Sequence, residues 1–143
     1  MKTYKASHMI KAEDLNHHHN LYAGRAIEWM MEASFIAAVG EHGNKHGLLY
    51  KNTHQFDFMS PVDPGEIISY LSTVVRTGRT SFTIHVDVMS EDNQELKAEG
   101  YTTFVTIDEN NQPEPHGILL DETQDEEELK WRAVAEGFFA RKQ

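Results

Sequence analysis

The chain has 143 residues, enough for one domain with its own core, and its 39% hydrophobic and 25% charged residues are ordinary fractions for a globular protein. A formal net charge of -10 argues against nucleic acid or an anionic membrane as the main partner, because both bind to basic surfaces. The absence of cysteine excludes disulfides, thiol nucleophiles and cysteine-based metal sites.

The first third of the chain predicts a strand, a polar loop and one long helix. Residues 4–12 predict the strand and residues 13–20 the loop. From residue 21 to about 42, Ala, Met and Glu are frequent and apolar residues recur at helical spacing, which predicts about five turns with one buried face. Three glycines between residues 40 and 47 mark its end. The residues predicted for the buried face are Ala26, Ile27, Met30, Met31, Ser34, Ala37 and Ala38.

The same region contains no predicted targeting or membrane segment. The N-terminal residues include no apolar stretch long enough for a signal peptide. The longest strongly apolar run, residues 35–39, is too short to span a bilayer. We therefore expect a cytoplasmic protein.

Four strands are predicted after residue 47, where the hydrophobic period falls to two. In the third of them, alternate residues from Phe82 to Val88 are apolar, so the other face is expected to meet solvent or a partner. Turn residues separate the strands, most clearly the P-V-D-P-G segment. The predicted strands are residues 48–60, 66–78, 80–92 and 95–109.

Residues 121–143 predict a second, separate helix. Thr123 and Glu126 fit a capping box, and Arg141 and Lys142 lie at the favourable C-terminal end. Its apolar side is expected to dock on the body of the protein or on a neighbouring subunit. That side comprises Leu129, Trp131, Val134, Ala135, Phe138 and Phe139.

This order of elements predicts the fold. A helix as apolar as the first one must be covered, and the run of strands that follows is long enough to wrap around it. The prediction is an α+β hotdog fold over residues 1–118, with a C-terminal helical extension over residues 119–143. Pairing two sheets edge to edge would remove an exposed edge strand, so a dimer is expected.

Five segments, in this order, resemble the motifs of one family. NHHHNLYAG at residues 16–24 resembles N-x-x-G-x-x-F-G-G, and WMME at 29–32 stands where the family has W-M-D-E. FDFMSPVDPGE (56–66), VVRTGRTSFTIHVDV (74–88) and VTIDENNQPEP (105–115) resemble F-x-x-P-V-x-x-G-D, V-x-x-T-G-x-T-S and V-x-x-D-x-x-G-K-P-x-P. These are motifs of the cytosolic acyl-CoA hydrolases, a hotdog family that often forms trimers of dimers. The resemblance covers roughly residues 8 to 116.

The chain departs from these motifs at the helix start and within the helix. Met31 stands where the family has its catalytic Asp. His19 replaces the glycine of N-x-x-G, and Ala23 replaces the first glycine of the pair, whereas Asn16 and Gly24 are retained. The resemblance therefore predicts the family's body with an altered catalytic site.

Thioester hydrolysis needs a polarised carbonyl, and the helix start is the candidate for that role. A helix N-terminus presents free N–H groups and a positive dipole end, which suit a developing oxyanion. Gly24 stands at the family's glycine and would let the thioester approach the backbone. The alternative is that Gly24 only permits a tight turn into the helix.

Glu32 and Asn16 are the candidates for positioning water. Glu32 lies one residue beyond Met31, which turns it by roughly 100 degrees around the helix, although its longer side chain recovers part of the reach. The alternative for Glu32 is a structural role at a subunit interface, and Glu28 is a weaker candidate acid. The resemblance implies that Asn16 orients water or the thioester carbonyl, and the alternative is an Asx-turn.

Three consecutive histidines precede the helix. No further ligand set accompanies residues 17–19, and neighbours in an extended segment point to alternate sides, so no metal site is predicted there. His18 is a candidate general base, and its offset from Glu32 is comparable to the His and Glu of hotdog hydroxyacyl-thioester dehydratases. His54 and His85 are interpreted as hydrogen-bonded sheet residues.

The resemblance implies a coenzyme A binding site around the Thr77-Gly78 turn. Arginine contacts phosphate, serine and threonine donate hydrogen bonds, and close arginines are conspicuous in an acidic chain. The alternative is an ordinary solvated turn. The residues assigned to substrate binding are Tyr22, Arg76, Arg79, Thr80 and Ser81.

The sequence thus predicts an acyl-CoA thioesterase that acts at a dimer interface without a separate cofactor, since coenzyme A enters as part of the substrate. Asn16, Gly24 and Glu32 would carry the reaction. One alternative is a binding protein that keeps the acyl-CoA pocket without hydrolysis, and another is a dehydratase that uses His18 with Glu32.

Overall fold

The computed structural model describes residues 1–140 and shows an antiparallel sheet wrapped around one long helix. Five strands lie in the order β1-β3-β4-β5-β2, and every neighbouring pair is antiparallel. The predicted hotdog fold is confirmed. The elements are β1 (Thr3–Met9), α1 (Ala23–His42), β2 (Leu48–Phe58), β3 (Ile67–Gly78), β4 (Ser81–Ser90), β5 (Leu96–Thr106) and α2 (Glu126–Gly137), with short 3-10 turns at Ala12–Asp14 and Lys45–Gly47.

Helix α1 buries a face of mostly small residues against the inner face of the sheet. Small side chains let the helix axis approach the strands closely, and larger apolar side chains of β3, β4 and β5 fill the space on either side. The Tyr70 hydroxyl of β3 donates a hydrogen bond of 2.9 Å to the Ala26 carbonyl, which fixes the helix along the sheet. The buried residues of α1 are Ala26, Met30, Ala33, Ser34, Ala37 and Ala38.

The predicted buried face was wrong at two positions and incomplete at a third. Ile27 and Met31 are only half-buried, whereas Ala33 is buried. The sheet covers less than the width of the apolar stripe, so residues at the edges of the stripe remain partly open. Met31 therefore lies at the margin of the core.

The ends of α1 are set by backbone hydrogen bonds. The helix begins at Ala23 rather than residue 21, because the Leu21 N–H donates to the Val62 carbonyl at 2.9 Å outside the helix. Gly43 ends it in the left-handed conformation, with φ of 82°, and its N–H donates to the Val39 carbonyl. The first strand also ends earlier than predicted, at Met9, since the Lys11 N–H donates to the Asp14 carboxylate and begins a 3-10 turn.

Helix α2 covers the outer face of the sheet. Trp131, Ala135 and Phe138 pack against Val75 and Tyr101, which face away from α1. The outer face predicted to meet solvent or a partner is therefore covered by the chain itself. The boundary between domain and extension, between residues 118 and 119, stays a prediction.

The start and the apolar side of α2 differ from the prediction. The helix begins at Glu126, and its cap is Asp125, whose carboxylate accepts the Glu128 N–H at 3.0 Å, so the capping box at Thr123 was wrong. Leu129 and Val134 are exposed because they lie on the side of α2 that faces away from the sheet. Arg141 and Lys142 lie outside the described residues.

Strand β2 forms one edge of the sheet and is irregular. Its pairing with β5 shifts register between Tyr50 and Asn52 and again between Thr53 and Gln55. Both shifts are bulges or irregularities of the ladder, which bend a strand and increase its local twist. Among the described helices, none is long and apolar enough to cross a membrane.

The close packing of β5 against α1 predicts a stability effect at Gly100. A Cβ atom there would lie 2.6 Å from the Met30 sulfur and 2.8 Å from the Gln55 carbonyl oxygen, and the backbone oxygen cannot move without disturbing the β2–β5 pairing. Gly100→Ala is expected to lower the free energy of unfolding by about 1–3 kcal/mol, measured by urea denaturation.

The matched control is Gly137→Ala at the end of α2, where nothing lies within 4 Å of the added Cβ. This variant should be unchanged or more stable by up to about 1 kcal/mol. Equal stability of the two variants would contradict the close approach of β5 to the helix.

Candidate functional site

The loop before α1 is closed by Asn16. Its side-chain oxygen accepts the N–H groups of His18 at 2.8 Å and Asn20 at 3.2 Å, and its own N–H donates to the Asn20 carbonyl at 2.7 Å. The Asx-turn considered for Asn16 is therefore present. Within residues 1–140 no group accepts a hydrogen bond from the side-chain NH2 of Asn16, so this donor is not used by the fold.

The turn at His19 explains why the family motif has glycine at this position. His19 has a φ of 62°, in the left-handed region that side chains with a Cβ enter at a cost of roughly 1–2 kcal/mol. The hydrogen bonds of Asn16 hold the loop in this conformation despite the histidine. The altered residue therefore changes the strain and the surface of the loop, while its path is kept.

A buried carboxylate that the sequence analysis missed supports the helix start. Asp14 is only 3% exposed, and its carboxylate lies 3.3 Å from Nε of Arg25, while its carbonyl accepts the Tyr22 N–H. Arg25 also pairs with Glu28, at 3.6 Å. The one indication of this role was local, namely the position of Asp14 at the end of a 3-10 turn directly before the loop. This pairing neutralises Arg25 and ties β1, the loop and α1 together.

The first turn of α1 has no side-chain cap. Tyr22 occupies the cap position without a side-chain hydrogen bond to the helix, so the first N–H groups receive no cap. The Tyr22 ring lies over Gly24, where a Cβ would come within 2.4 Å of it. Gly24 thus allows an aromatic side chain to lie across the helix start. The free N–H groups and the dipole at a helix start favour negative charge in general.

Two grooves flank this turn. The first, about 350 Å³, contains Asn16, Leu21 and Ala23 on one side and the segment from Phe58 to Pro61 on the other. The second, about 400 Å³, contains Tyr22, Gly24, Arg25 and the acidic residues of the preceding loop. Asn16 and Gly24 therefore line two different grooves at the start of α1.

Met31 and Glu32 lie far from this turn within one chain. Glu32 follows Gly24 by eight residues, which is about 12 Å along a helix. Glu32 is exposed. Burial lowers the pKa of His8, and the negative charge of Glu32 opposes this by raising it. His8 stacks on Trp29 at 4.0 Å between ring centres. One chain therefore cannot place Glu32 and the helix start on the same thioester.

His18 is exposed, and its ring contacts that of His17 at 4.0 Å. Within the described residues, no hydrogen bond or ion pair joins His18 to Glu32. The general-base role of His18 stays a prediction. The predicted interpretation of the other two histidines is confirmed, since His54 lies 2.7 Å from the Thr103 hydroxyl and His85 lies 2.6 Å from the Glu99 carboxylate.

The predicted coenzyme A residues divide between two surfaces. Gly78 pairs with Ser81, so Arg79 and Thr80 form a two-residue turn between β3 and β4, and the Arg79 side chain is exposed. Arg76 instead lies under α2, with its Nε 3.1 Å from Glu136 and its guanidinium 3.8 Å from the Phe139 ring centre. The C-terminal segment thus contacts Arg76 and leaves only Arg79 exposed at the turn.

A groove of about 330 Å³ runs beside the Arg79 turn. Thr77, Gly78 and Arg79 form one wall, and residues 115–119 form the other. His116, which the sequence analysis missed, stacks on Phe82 at 4.2 Å and has its Nε2 3.1 Å from the Ser81 carbonyl. The signal was the P-E-P-H-G segment, whose Gly117 has a φ of 69°. His116 therefore holds the second wall against the turn.

Comparison with known proteins gives a consistent picture. A family model described as the thioesterase superfamily matches residues 18–97. An uncharacterized acyl-CoA thioester hydrolase of Bacillus subtilis is 27% identical over 125 residues, 85% of this chain and 72% of that protein.

Two solved structures share the fold over nearly the whole chain. An acyl-CoA hydrolase of Staphylococcus aureus, solved with butyryl coenzyme A, coenzyme A and coenzyme A disulfide, has a TM-score of 0.83 at 25% identity and covers 94% of this chain and 80% of its own. A hexameric acyl-CoA thioesterase without ligand has a TM-score of 0.80 at 25% identity, covering 94% and 86%. The family model matches more than half of the residues of this chain, and the chain therefore belongs to the thioesterase superfamily.

Proposed function

We propose that this protein hydrolyses acyl-CoA thioesters at a site shared between two copies of the chain. The observation that carries this proposal is the start of α1, which has no side-chain cap and whose residues Ala23 and Gly24 line two grooves. In the reaction, water adds to the thioester carbonyl, the C–S bond breaks, and coenzyme A leaves as the thiol. The oxyanion formed on addition is the charge that such a helix start stabilises.

Two copies are needed because of the length of α1. The roughly 12 Å between Gly24 and Glu32 leaves the oxyanion donors and the nearest acid apart within one chain. The face of α1 and the edge strand β2 also expose large apolar residues: Ile36 is 53% exposed and Leu49 is 49% exposed. A partner that covers this surface brings its own Glu32 towards the helix start. A dimer, or a trimer of dimers as in a hexamer, is the proposed assembly.

Each candidate residue then has a role. Asn16 presents its side-chain NH2 to the thioester or to water, and Glu32 of the second copy activates that water. Tyr22 covers the helix start, and Arg79, Thr80 and Ser81 line the turn that would receive coenzyme A phosphates. Arg76 would join them only with α2 displaced, because Glu136 and Phe139 hold it. No separate cofactor enters this scheme, and the proposed compartment is the cytoplasm.

A second function is favoured by Met31. The resemblance implies a catalytic Asp where this chain has a half-buried thioether, which neither activates water nor carries charge. Loss of an essential acid costs several orders of magnitude in rate while the ligand pocket survives. The second candidate is therefore a protein that binds acyl-CoA without hydrolysing it.

Removal of the Glu32 carboxylate tests the first function directly. Glu32→Gln is expected to lower kcat for short-chain acyl-CoA by roughly 10²–10⁴-fold, since the variant loses a general base while keeping the shape of the side chain. Release of free thiol with an acyl-CoA panel measures this effect. Glu122→Gln is the control: it removes an exposed acid outside α1 and should change kcat by less than about threefold. Equal activity of the two variants would remove Glu32 from the mechanism.

Introduction of the missing acid separates the two candidate functions. In an active hydrolase that uses Glu32, Met31→Asp is expected to change kcat/KM by no more than about tenfold, since the site already has an acid. An inactive wild-type protein that still binds coenzyme A, and gains hydrolysis on Met31→Asp, would instead establish the binding protein. Asn16→Ala complements this test, because it removes the NH2 donor and loosens the loop together.

The turn between β3 and β4 gives a prediction for ligand affinity. Arg79→Ala is expected to raise the dissociation constant for coenzyme A by roughly tenfold, because it removes an exposed cation from a strongly acidic protein. Titration calorimetry with coenzyme A, compared with dephospho-coenzyme A, measures the effect. Lys45→Ala, an exposed cation in a different loop, is the control and should leave affinity unchanged.

A further inference from the structure

A group of metal-ligating side chains lies on the outer face of the sheet, on the opposite side from α1. His85 and Asp87 are two residues apart on β4 and so face the same side, and Asp87 is paired directly with Glu99 of β5. Helix α2 covers them, and the Trp131 ring stacks on His85 at 3.8 Å. Of all the histidines and acids within residues 1–140, these three form the group whose donor atoms approach to within metal-binding range.

The distances suit one shared ion. The donor atoms of the three residues all lie within 4.8 Å of one another. Nε2 of His85 lies 3.4 Å from Oδ1 of Asp87 and 2.6 Å from Oε2 of Glu99. Tetrahedral ligands at zinc bond lengths of about 2.0–2.1 Å are separated by roughly 3.3 Å, so the Asp87 distance already fits. Glu99 must withdraw by less than an ångström, which its partial exposure allows.

The two carboxylates of this group are largely buried, and only one imidazole lies beside them to balance their charge. The His85 side chain is fully buried, and Oδ1 of Asp87 is buried with no hydrogen-bond partner among the described residues. Two carboxylates therefore share one imidazole beneath the helix, and Glu127 of α2 adds negative potential. Buried charges are retained in proteins where a counter-charge or a metal balances them.

We propose that His85, Asp87 and Glu99 bind a divalent transition metal ion, with Zn²⁺ as the ion whose ligand preferences they match. One imidazole nitrogen and two carboxylate oxygens form a mixed N/O set that suits zinc, and they leave the fourth tetrahedral position for water. The ion joins β4 to β5 and lies under Trp131, so its role is to stabilise the outer face and the docking of α2. This site is separate from the proposed thioester site, because the sheet lies between the two.

The three consecutive histidines are removed before the site is tested, because exposed imidazoles are ligands for added transition metals and would contribute weak background binding. All proteins in the experiment therefore carry His17→Ala, His18→Ala and His19→Ala, and are stripped with a chelator that is then removed. Titration calorimetry with ZnCl2 is expected to give one Zn²⁺ per chain, with a raised Tm. Asp87→Asn and Glu99→Gln keep the size of the side chains and should each weaken zinc binding at least about 100-fold. A residue that only hydrogen-bonds to a ligand would have a smaller effect on zinc affinity.

The matched control is Asp92→Asn, an exposed acid in the turn after β4, which should bind Zn²⁺ as the background protein does. Trp131 supplies an independent measurement, since Co²⁺ bound next to a stacked indole quenches its fluorescence, and Trp131→Phe should abolish that quenching while Trp29 remains. Zinc binding that survives both Asp87→Asn and Glu99→Gln would overturn the proposal. So would the absence of any zinc binding by the histidine-free background protein, provided that this protein is folded by near-UV circular dichroism.

Discussion

The packing of α1 on the inner face of the sheet is the contact on which the rest of the structure depends. Small residues on the buried side of the helix bring its axis close to the strands, and Gly100 of β5 provides the space for Met30. This close contact leaves the first turn of α1 at one end of the sheet, beside the Asn16 loop. It also directs the margin of the helix, with Met31 and Glu32, away from the core. The positions of both candidate groups follow from how the helix lies on the strands.

Much of this arrangement could be predicted from residue patterns, because burial imposes a regular period on them. The 3.6-residue period of α1 and the two-residue period of the strands gave the order of the elements, and the family motifs agreed with it. The predictions failed at element ends, where single hydrogen bonds decide. The Leu21 N–H bonds to Val62, and Asp125 rather than Thr123 caps α2. Such bonds depend on residues distant in sequence or on small shifts of the chain.

The candidate site was less predictable than the fold, since it depends on contacts between elements. The motif residues Asn16 and Gly24 do lie at the helix start, but they line two different grooves. Arg76 and Arg79 are close in sequence and diverge in space, because α2 holds the first. The buried pair of Asp14 with Arg25 and the cluster around His85 were missed for the same reason. Each requires a strand register or a helix position that no short motif encodes.

Helices of the same chain pack on both faces of the sheet, and the two faces have different contents. The inner face holds α1 and, through it, the proposed thioester site. The outer face holds α2 over a polar cluster, an unusual content for a covered surface, since burial penalises unbalanced charge. Helix α2 also explains why the predicted coenzyme A residues do not lie together. Its Trp131 stacks on His85, and its Glu136 forms an ion pair with Arg76.

The irregular edge strand has a consequence for how this protein behaves at high concentration. A long regular edge accepts further strands without limit, and that is the route from sheets to fibrils. The two register shifts in β2 bend this edge between Tyr50 and Gln55, so an incoming strand stays aligned with it for only a few residues. The irregularity therefore hinders open-ended strand addition at this edge of the sheet.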